Sequence, residues 1–233
     1  MAYEYGAKEP EKLKIKDMTP KEKELLIDSD SFCMLPWMHL HAYPDGRAYP
    51  CCLANYDHHV GSLKENTIEE VWRDKPMQTM RDNMLANKPC KECTKCYEQE
   101  KSGFFSMRNS SNQTFGHYIK ETLTSSELKI RYYDIRFSNL CNFRCRSCGD
   151  IFSSNWTKEY KQYGWLPKDA PNVTYAGRYK TDIWEQTLPH IPYFQEVYFA
   201  GGEPLMMQEH WDLLDELLRQ DRTDVKLVYN SNF

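Results

Sequence analysis

Three cysteines within eight residues, Cys141, Cys145 and Cys148 in the run CNFRCRSCG, constrain this chain more than any other feature. The spacing C-x3-C-x2-C lets one tight loop present three thiolates to a cubane [4Fe-4S] cluster while offering no fourth protein ligand. One iron corner is then left open, and an open iron can chelate a small molecule and pass it an electron.

A second signal lies 53 residues further on. Gly201-Gly202-Glu203-Pro204 follows the apolar run Val197 to Ala200, which predicts a strand, and precedes Trp211 to Leu218, which predicts a helix. Ahead of Cys141, Tyr133, Ile135 and Phe137 alternate with Tyr132, Asp134 and Arg136, a strand whose Asp134 and Arg136 side is expected to face a polar lumen. Trp156, Tyr160 and Tyr163 predict a helix, 164–180 an irregular insertion, Ile183 to Leu188 a short helix, and Val225 to Tyr229 a third strand. The order reads as parallel βα units. Both special loops fall at carboxyl ends of strands, where α/β barrels keep their chemistry.

The two motifs together resemble the radical S-adenosylmethionine (SAM) superfamily. The resemblance implies that Cys141, Cys145 and Cys148 hold a SAM-binding [4Fe-4S] cluster. It implies that Gly201, Gly202 and Glu203 line the groove for the methionine end of SAM, Glu203 accepting from the amino group. Reductive cleavage of SAM would give a 5′-deoxyadenosyl radical that takes hydrogen from a peptide or small-molecule substrate, with a flavodoxin- or ferredoxin-like electron donor. No residue stands out as a general base or radical relay. The family often sets an aromatic against the adenine just before the last cysteine, and Ser147 stands there instead. The expected fold class is α/β, a partial (βα) radical SAM barrel over 128–233. The family core has six such units, and this chain supplies about three, so at roughly thirty residues per unit about 100 more are expected. A piece of that length is expected to turn over poorly.

The other six thiols are bunched at 33, 51/52 and 90/93/96. An odd total of nine in a chain without an export signal favours metal ligands over disulfides. Thr19-Pro20-Lys21-Glu22 is a capping box opening a short helix through Leu25, Leu26 and Ile27. From Cys33 the pattern alternates, with Trp37, His39, His41 and Tyr43 on one face, and Pro44-Asp45-Gly46 turns the chain into a hairpin. His39 and His41 are read as packing or surface residues rather than ligands, since sulfur fills the ligand count, and His58 and His59 as surface residues. Thr67 and Glu70 form a second capping box, its helix interrupted at Pro76, and Met77, Met80 and Met84 make the apolar side of a further helix.

The run from Cys33 to Cys96 is similar to a twitch domain, the shorter relative of the SPASM domain, on Cys33, the Gly46-x4-Cys51 segment and a terminal C-x2-C followed by Tyr97 and Glu98. The resemblance implies an auxiliary [4Fe-4S] cluster on Cys33, Cys51, Cys93 and Cys96, closed by four thiolates and suited to electron relay or structural support. Cys52 and Cys90 are then spare, although Cys90 stands as far from Cys93 as Cys93 does from Cys96, which leaves that choice open. In the commonest family arrangement the auxiliary domain follows the barrel, whereas here it comes first.

The expected organisation is an arm and short helix over 1–30, a small α+β twitch-like domain over 31–100, a polar connector over 101–127 with one helix around Phe115 to Leu123, and the barrel portion. Two other readings compete: a zinc-binding interaction module on the C-x2-C pairs, and a cluster-bearing remnant without catalysis. A formal charge of −4 and the lack of a basic stripe argue against nucleic acid. No signal peptide and no apolar run near the ~18 residues of a membrane span is present, so the expected location is cytoplasmic, away from membranes.

Overall fold

The computed structural model describes residues 15–232. Most of the expected N-terminal arm, 1–14, and Phe233 lie outside the described residues. Thr19 caps α1 (Pro20–Lys23) with both halves of its capping box formed, and the chain continues as a wider turn of helix over Glu24–Asp28 that buries Leu25 and Leu26. The alternation from Cys33 does not make a long strand. Leu35–Met38 is instead a turn of helix, α2, with Pro36 in its first turn, where a missing N–H costs nothing. Only β1 (His41–Ala42) is extended, and it pairs antiparallel with β2 (Arg47–Tyr49) across a turn whose Gly46 has φ +92°, a conformation that favours glycine. β3 (Gly61–Ser62) pairs with β2.

Thr67 caps α3 (Ile68–Arg73), again with a complete capping box. Pro76 does not interrupt that helix. Asp74 ends α3 and caps α4 (Lys75–Leu85), so the proline falls in the first turn of α4, where it is tolerated. Met77, Met80 and Met84 are buried along one side of α4. After α5 (Thr94–Lys101), the expected connector is helical for most of its length, as α6 (Met107–Phe115) and α7 (Ile119–Thr124). The physical reason is capping by a residue outside the usual Glu/Gln pattern. Ser106 accepts from Asn109 N–H while the Asn109 side chain accepts from Ser106 N–H, so a polar Ser/Asn run begins a helix where a loop was expected.

The remaining elements are β4 (Tyr132–Ile135), α8 (Ser154–Gln162), α9 (Asp182–Thr187), β5 (Glu196–Phe199), α10 (Gln208–Arg219) and β6 (Lys226–Tyr229). The strands form one six-stranded sheet in the order β3-β2-β1-β4-β5-β6. β1, β4, β5 and β6 are parallel, with His41 opposite Asp134, Tyr133 opposite Val197 and Phe199 opposite Tyr229. The fold is therefore mixed α/β, and the hairpin from the first half of the chain extends the sheet of the second half.

One face of the sheet is apolar. Leu40, Ala42, Ala48, Tyr133, Ile135, Phe137, Val197 and Phe199 share a single core with Ile68, Val71, Ile183, Leu213 and Leu217 from α3, α9 and α10. The opposite face carries the alternate residues. Tyr132 packs with Phe32, Met34 and Met38, His39 stacks on Tyr132, and Asp134 is fully buried beside His41. Period-two alternation thus sorts apolar from polar side chains across the sheet.

Candidate iron-sulfur sites

The loop carrying Cys141, Cys145 and Cys148 leaves β4 at its carboxyl end. It is exposed over 142–147, with Cys145 exposed and Cys141 and Cys148 half-buried. Its base is built by short polar side chains. Ser154 Oγ accepts from Cys141 N–H (3.2 Å), and Asn139 Nδ2 donates to the Asp150 carbonyl (2.8 Å). Its tip is held from α8, where Trp156 Nε1 donates to the Cys145 carbonyl (3.0 Å) and Arg144 pairs with Glu159. The Cys148 amide donates to the Cys145 carbonyl (3.0 Å), which closes the loop into a tight turn. The three thiols are electrostatic neighbours. Partial burial and the nearby Cys145 and Cys141 push the Cys148 thiol up, against a hydrogen bond from Ser147. An open hollow of about 370 Å³ lies against Asn142, Phe143, Arg144 and Cys145.

Gly201 to Glu203 meets this loop from the next strand. Gly202 N–H donates to the Ser138 carbonyl (3.1 Å) and Glu203 N–H to the Leu140 carbonyl (2.7 Å). A Cβ on Gly202 would overlap the Leu140 carbonyl, and Gly201 takes φ +122°. The double glycine therefore serves the contact between the two loops, so that the second can be laced directly onto the first. The Glu203 carboxylate is buried and accepts from Leu205 N–H, Ser231 Oγ–H (2.9 Å) and Asn232 N–H (2.8 Å). Asn232 Nδ2 in turn lies 3.7 Å from Cys141 Sγ and 2.9 Å from Asn142 Oδ1. Ser231 and Asn232 were not singled out in the sequence. Their signal was an Asn-Ser-Asn run at the carboxyl end of a parallel strand, the same address as the other two loops.

The first-half cysteines gather in a second place. Cys33 precedes α2, Cys51 follows β2, and Cys93 and Cys96 sit on the turn into α5 and on α5 itself. Burial pushes the Cys33 thiol up to about 12, Cys96 adding to the effect and Arg108 opposing it. Cys51 and Cys93 are also raised, by burial first, then Cys51 by Cys52, Cys33 and Cys96, and Cys93 by Cys51, Cys33, Cys90 and Cys96. Desolvated together, Cys33, Cys51 and Cys93 are stable as neutral thiols. Their thiolates would repel one another unless a cationic centre held them, and that is the chemistry an iron-sulfur cluster supplies, so the donor set fits one.

Cys52 and Cys90 lie beside this group, Cys52 next to Cys51 and Cys90 near Cys93. The Cys90 thiol faces the Met80 and Lys88 carbonyls at 3.6 and 3.9 Å. Cys52, pushed up to about 11 by burial, has Asp134 and Arg136 as its strongest charged neighbours on the polar face of the sheet. All nine thiols are free. Among the described residues no three His, Cys, Asp or Glu side chains are drawn together as they would be around one metal ion. A cubane spreads its thiolates over separate corners.

His39 and His41 are fully buried. Their Nδ1 atoms lie 2.6 and 3.0 Å from the Tyr132 and Asp134 carbonyl oxygens, and their Nε2 atoms have no hydrogen-bond partner among the described residues. Burial pushes Asp134 up, but His41, Arg136 and His39 outweigh it and hold the carboxyl below its usual range. His59 is exposed and His58 partly so.

Residues 33–97 match the family described as SPASM, an iron-sulfur cluster-binding domain. The match spans the hairpin, α3, α4 and the gathered thiols, and identifies this segment as an auxiliary cluster domain of the kind associated with radical SAM proteins. No curated protein and no solved structure matches the chain. Among the described residues no helix is long and apolar enough to cross a membrane.

Proposed function

We propose that this chain is a radical SAM enzyme, or part of one, carrying a SAM-binding cluster on Cys141, Cys145 and Cys148 and an auxiliary cluster on Cys33, Cys51, Cys93 and Cys96. The observation that carries the reading is the meeting of the three-thiol loop with Gly201–Glu203 at the carboxyl ends of neighbouring parallel strands, beside a segment that matches a cluster-binding family. When bound, the first cluster and SAM supply one-electron cleavage of the sulfonium to a 5′-deoxyadenosyl radical, which takes hydrogen from a peptide or small-molecule substrate.

The chain's own residues bind and orient. Cys141, Cys145 and Cys148 would hold the cluster by three thiolates, with no fourth protein ligand from the loop. Glu203, already accepting three hydrogen bonds, has a lone pair left for the amino group of SAM. Asp134 on β4 and Arg136 just past it give that side of the sheet its polarity, and Arg136 lies over the Tyr43 and Phe152 rings. Cys33, Cys51, Cys93 and Cys96 would hold the auxiliary cluster, which with four thiolate ligands would supply electron relay or bracing of the fold. A flavodoxin- or ferredoxin-like protein serves as electron donor.

Anaerobic reconstitution tests this. The protein should take up about eight irons with matching sulfide, four for each cubane. SAM should change the spectrum of the reduced cluster, and 5′-deoxyadenosine should appear under reducing conditions. A colourless protein with stoichiometric zinc, or a spectrum indifferent to SAM, would overturn the reading.

A further inference from the structure

We infer that Asn232 is a positioning residue for the Cys141 thiolate, its side-chain amide donating to the sulfur and thereby setting how readily the cluster at 141/145/148 is reduced. The inference rests on the reading of these three cysteines as cluster ligands.

The contact is built rather than incidental. β4 and β6 are not neighbours, since β5 lies between them, so the loop after β6 must cross β5 to reach Cys141. Glu203, on the loop after β5, spans that gap by accepting from Ser231 Oγ–H at 2.9 Å and Asn232 N–H at 2.8 Å. With its backbone pinned, Asn232 sends one amide hydrogen to Asn142 Oδ1 at 2.9 Å and turns the other toward Cys141 Sγ at 3.7 Å. The opposite orientation would set an amide oxygen against an anionic sulfur, two acceptors face to face. The Phe143 amide, 3.4 Å from the same sulfur, is a second donor, and Cys141 thus receives two.

Hydrogen bonds to ligand sulfurs are among the levers that set cluster potentials. Reduction adds electron density to the thiolates, so a donor there is bonded more strongly in the reduced state. Its removal makes reduction harder. Loss of one such bond is expected to change the reduced-to-oxidised ratio at a fixed potential about tenfold, or ~59 mV to the negative for one electron.

The experiment uses the full chain, reconstituted anaerobically, and follows by potentiometric EPR the signal that disappears in the Cys141→Ala/Cys145→Ala/Cys148→Ala variant. Asn232→Leu keeps the shape and both anchors to Glu203, the Asn232 N–H and the Ser231 hydroxyl, but has no side-chain donor, and its signal should titrate at lower potential with iron content unchanged. Asn232→Asp should move further the same way, because it adds a negative charge. Asn232→His, which restores a donor, should lie nearer the wild type. Wild-type potentials in both the Leu and Asp variants would overturn the inference. If Asn232→Leu fails to load iron, Asn232→Ala carries the same expectation, and failure of both to load would assign the residue a structural role instead. A triple cysteine variant with undiminished iron would overturn the underlying reading, not this one.

Discussion

His39 has no exposed surface, and burial lowers its pKa from its ordinary 6.5 to about 4, against the Tyr132 carbonyl and Asp134, which favour its charged form, and with His41, which opposes it. A histidine kept neutral in the fold stabilises the protein fully above its unfolded pKa, and that stability is lost as pH falls from 6.5 through 4. At ~1.4 kcal/mol per pH unit this amounts to about 3 kcal/mol. Urea midpoints at pH 8 and pH 5 should therefore differ clearly in the wild type and less in His39→Gln. Some loss should persist in the variant, because burial also lowers His190 and His210. Gly202 makes the second prediction at this scale. Gly202→Ala forces a Cβ into the Leu140 carbonyl and should cost about 1–3 kcal/mol, with weakened iron loading at 141/145/148. Gly149→Ala, whose new methyl would lie 3.8 Å from Tyr160 Oη, should load normally. The histidines' place on one face of the alternation was legible in the sequence. Their depth was not, because it is set by aromatic rings packed on them, Tyr132 on His39 and Tyr43 and Tyr49 on His41. The glycines were legible as a close approach, but the partner they approach comes from a loop more than 60 positions earlier.

At the scale of elements, α6 shows what a polar sequence can hide. Arg108 looks like one more solvated charge in a Ser/Asn-rich stretch, yet its side chain is 7% exposed. Its guanidinium donates twice to Glu100, at 2.9 and 2.5 Å, and twice more to the Ser29 and Phe32 carbonyls, at 2.9 and 3.1 Å. It thereby ties α5 and α6 to the backbone that leads into Cys33. Arg108→Leu takes the cationic partner from part-buried Glu100, leaving it Ser106, and removes the donor to the Ser29 carbonyl, while Asn112 Nδ2 still serves the Phe32 carbonyl; it should cost about 3 kcal/mol. Arg73→Ala, which removes an exposed pair with Glu69, should stay within about 0.5 kcal/mol, and chemical unfolding of the two variants side by side checks both. Where capping boxes follow the Thr-x-x-Glu pattern, as at Thr19 and Thr67, the helix starts were legible. At Ser106 the partner is Asn109, a residue that also favours turns, and local chemistry alone does not separate the two outcomes.

For the whole molecule, the parallel pairing of β1 with β4 matters most. The sequence divides naturally near residue 127, with cysteine-bearing segments on either side, and nothing local announces that a two-residue strand from one will seat against a strand of the other. The pairing is continued beyond the strands themselves, by Arg131 N–H to the Met38 carbonyl and Arg136 N–H to the Ala42 carbonyl. Side chains from both segments also share one core. Leu63, next to β3, and Leu213, on α10, are both fully buried in it. A cleavage of that core into two would expose apolar surface on each half, so the segments should unfold together. Leu63→Ala and Leu213→Ala should each lower stability by about 2–5 kcal/mol and move one and the same transition, followed by tryptophan fluorescence and far-UV circular dichroism. Two transitions, with each substitution shifting only the one belonging to its own segment, would mean that the sheet joins two independently stable units. A single shifted transition places both thiol sets on one cooperative frame, in which a change at the auxiliary segment reaches the loops after β4, β5 and β6 through the sheet between them.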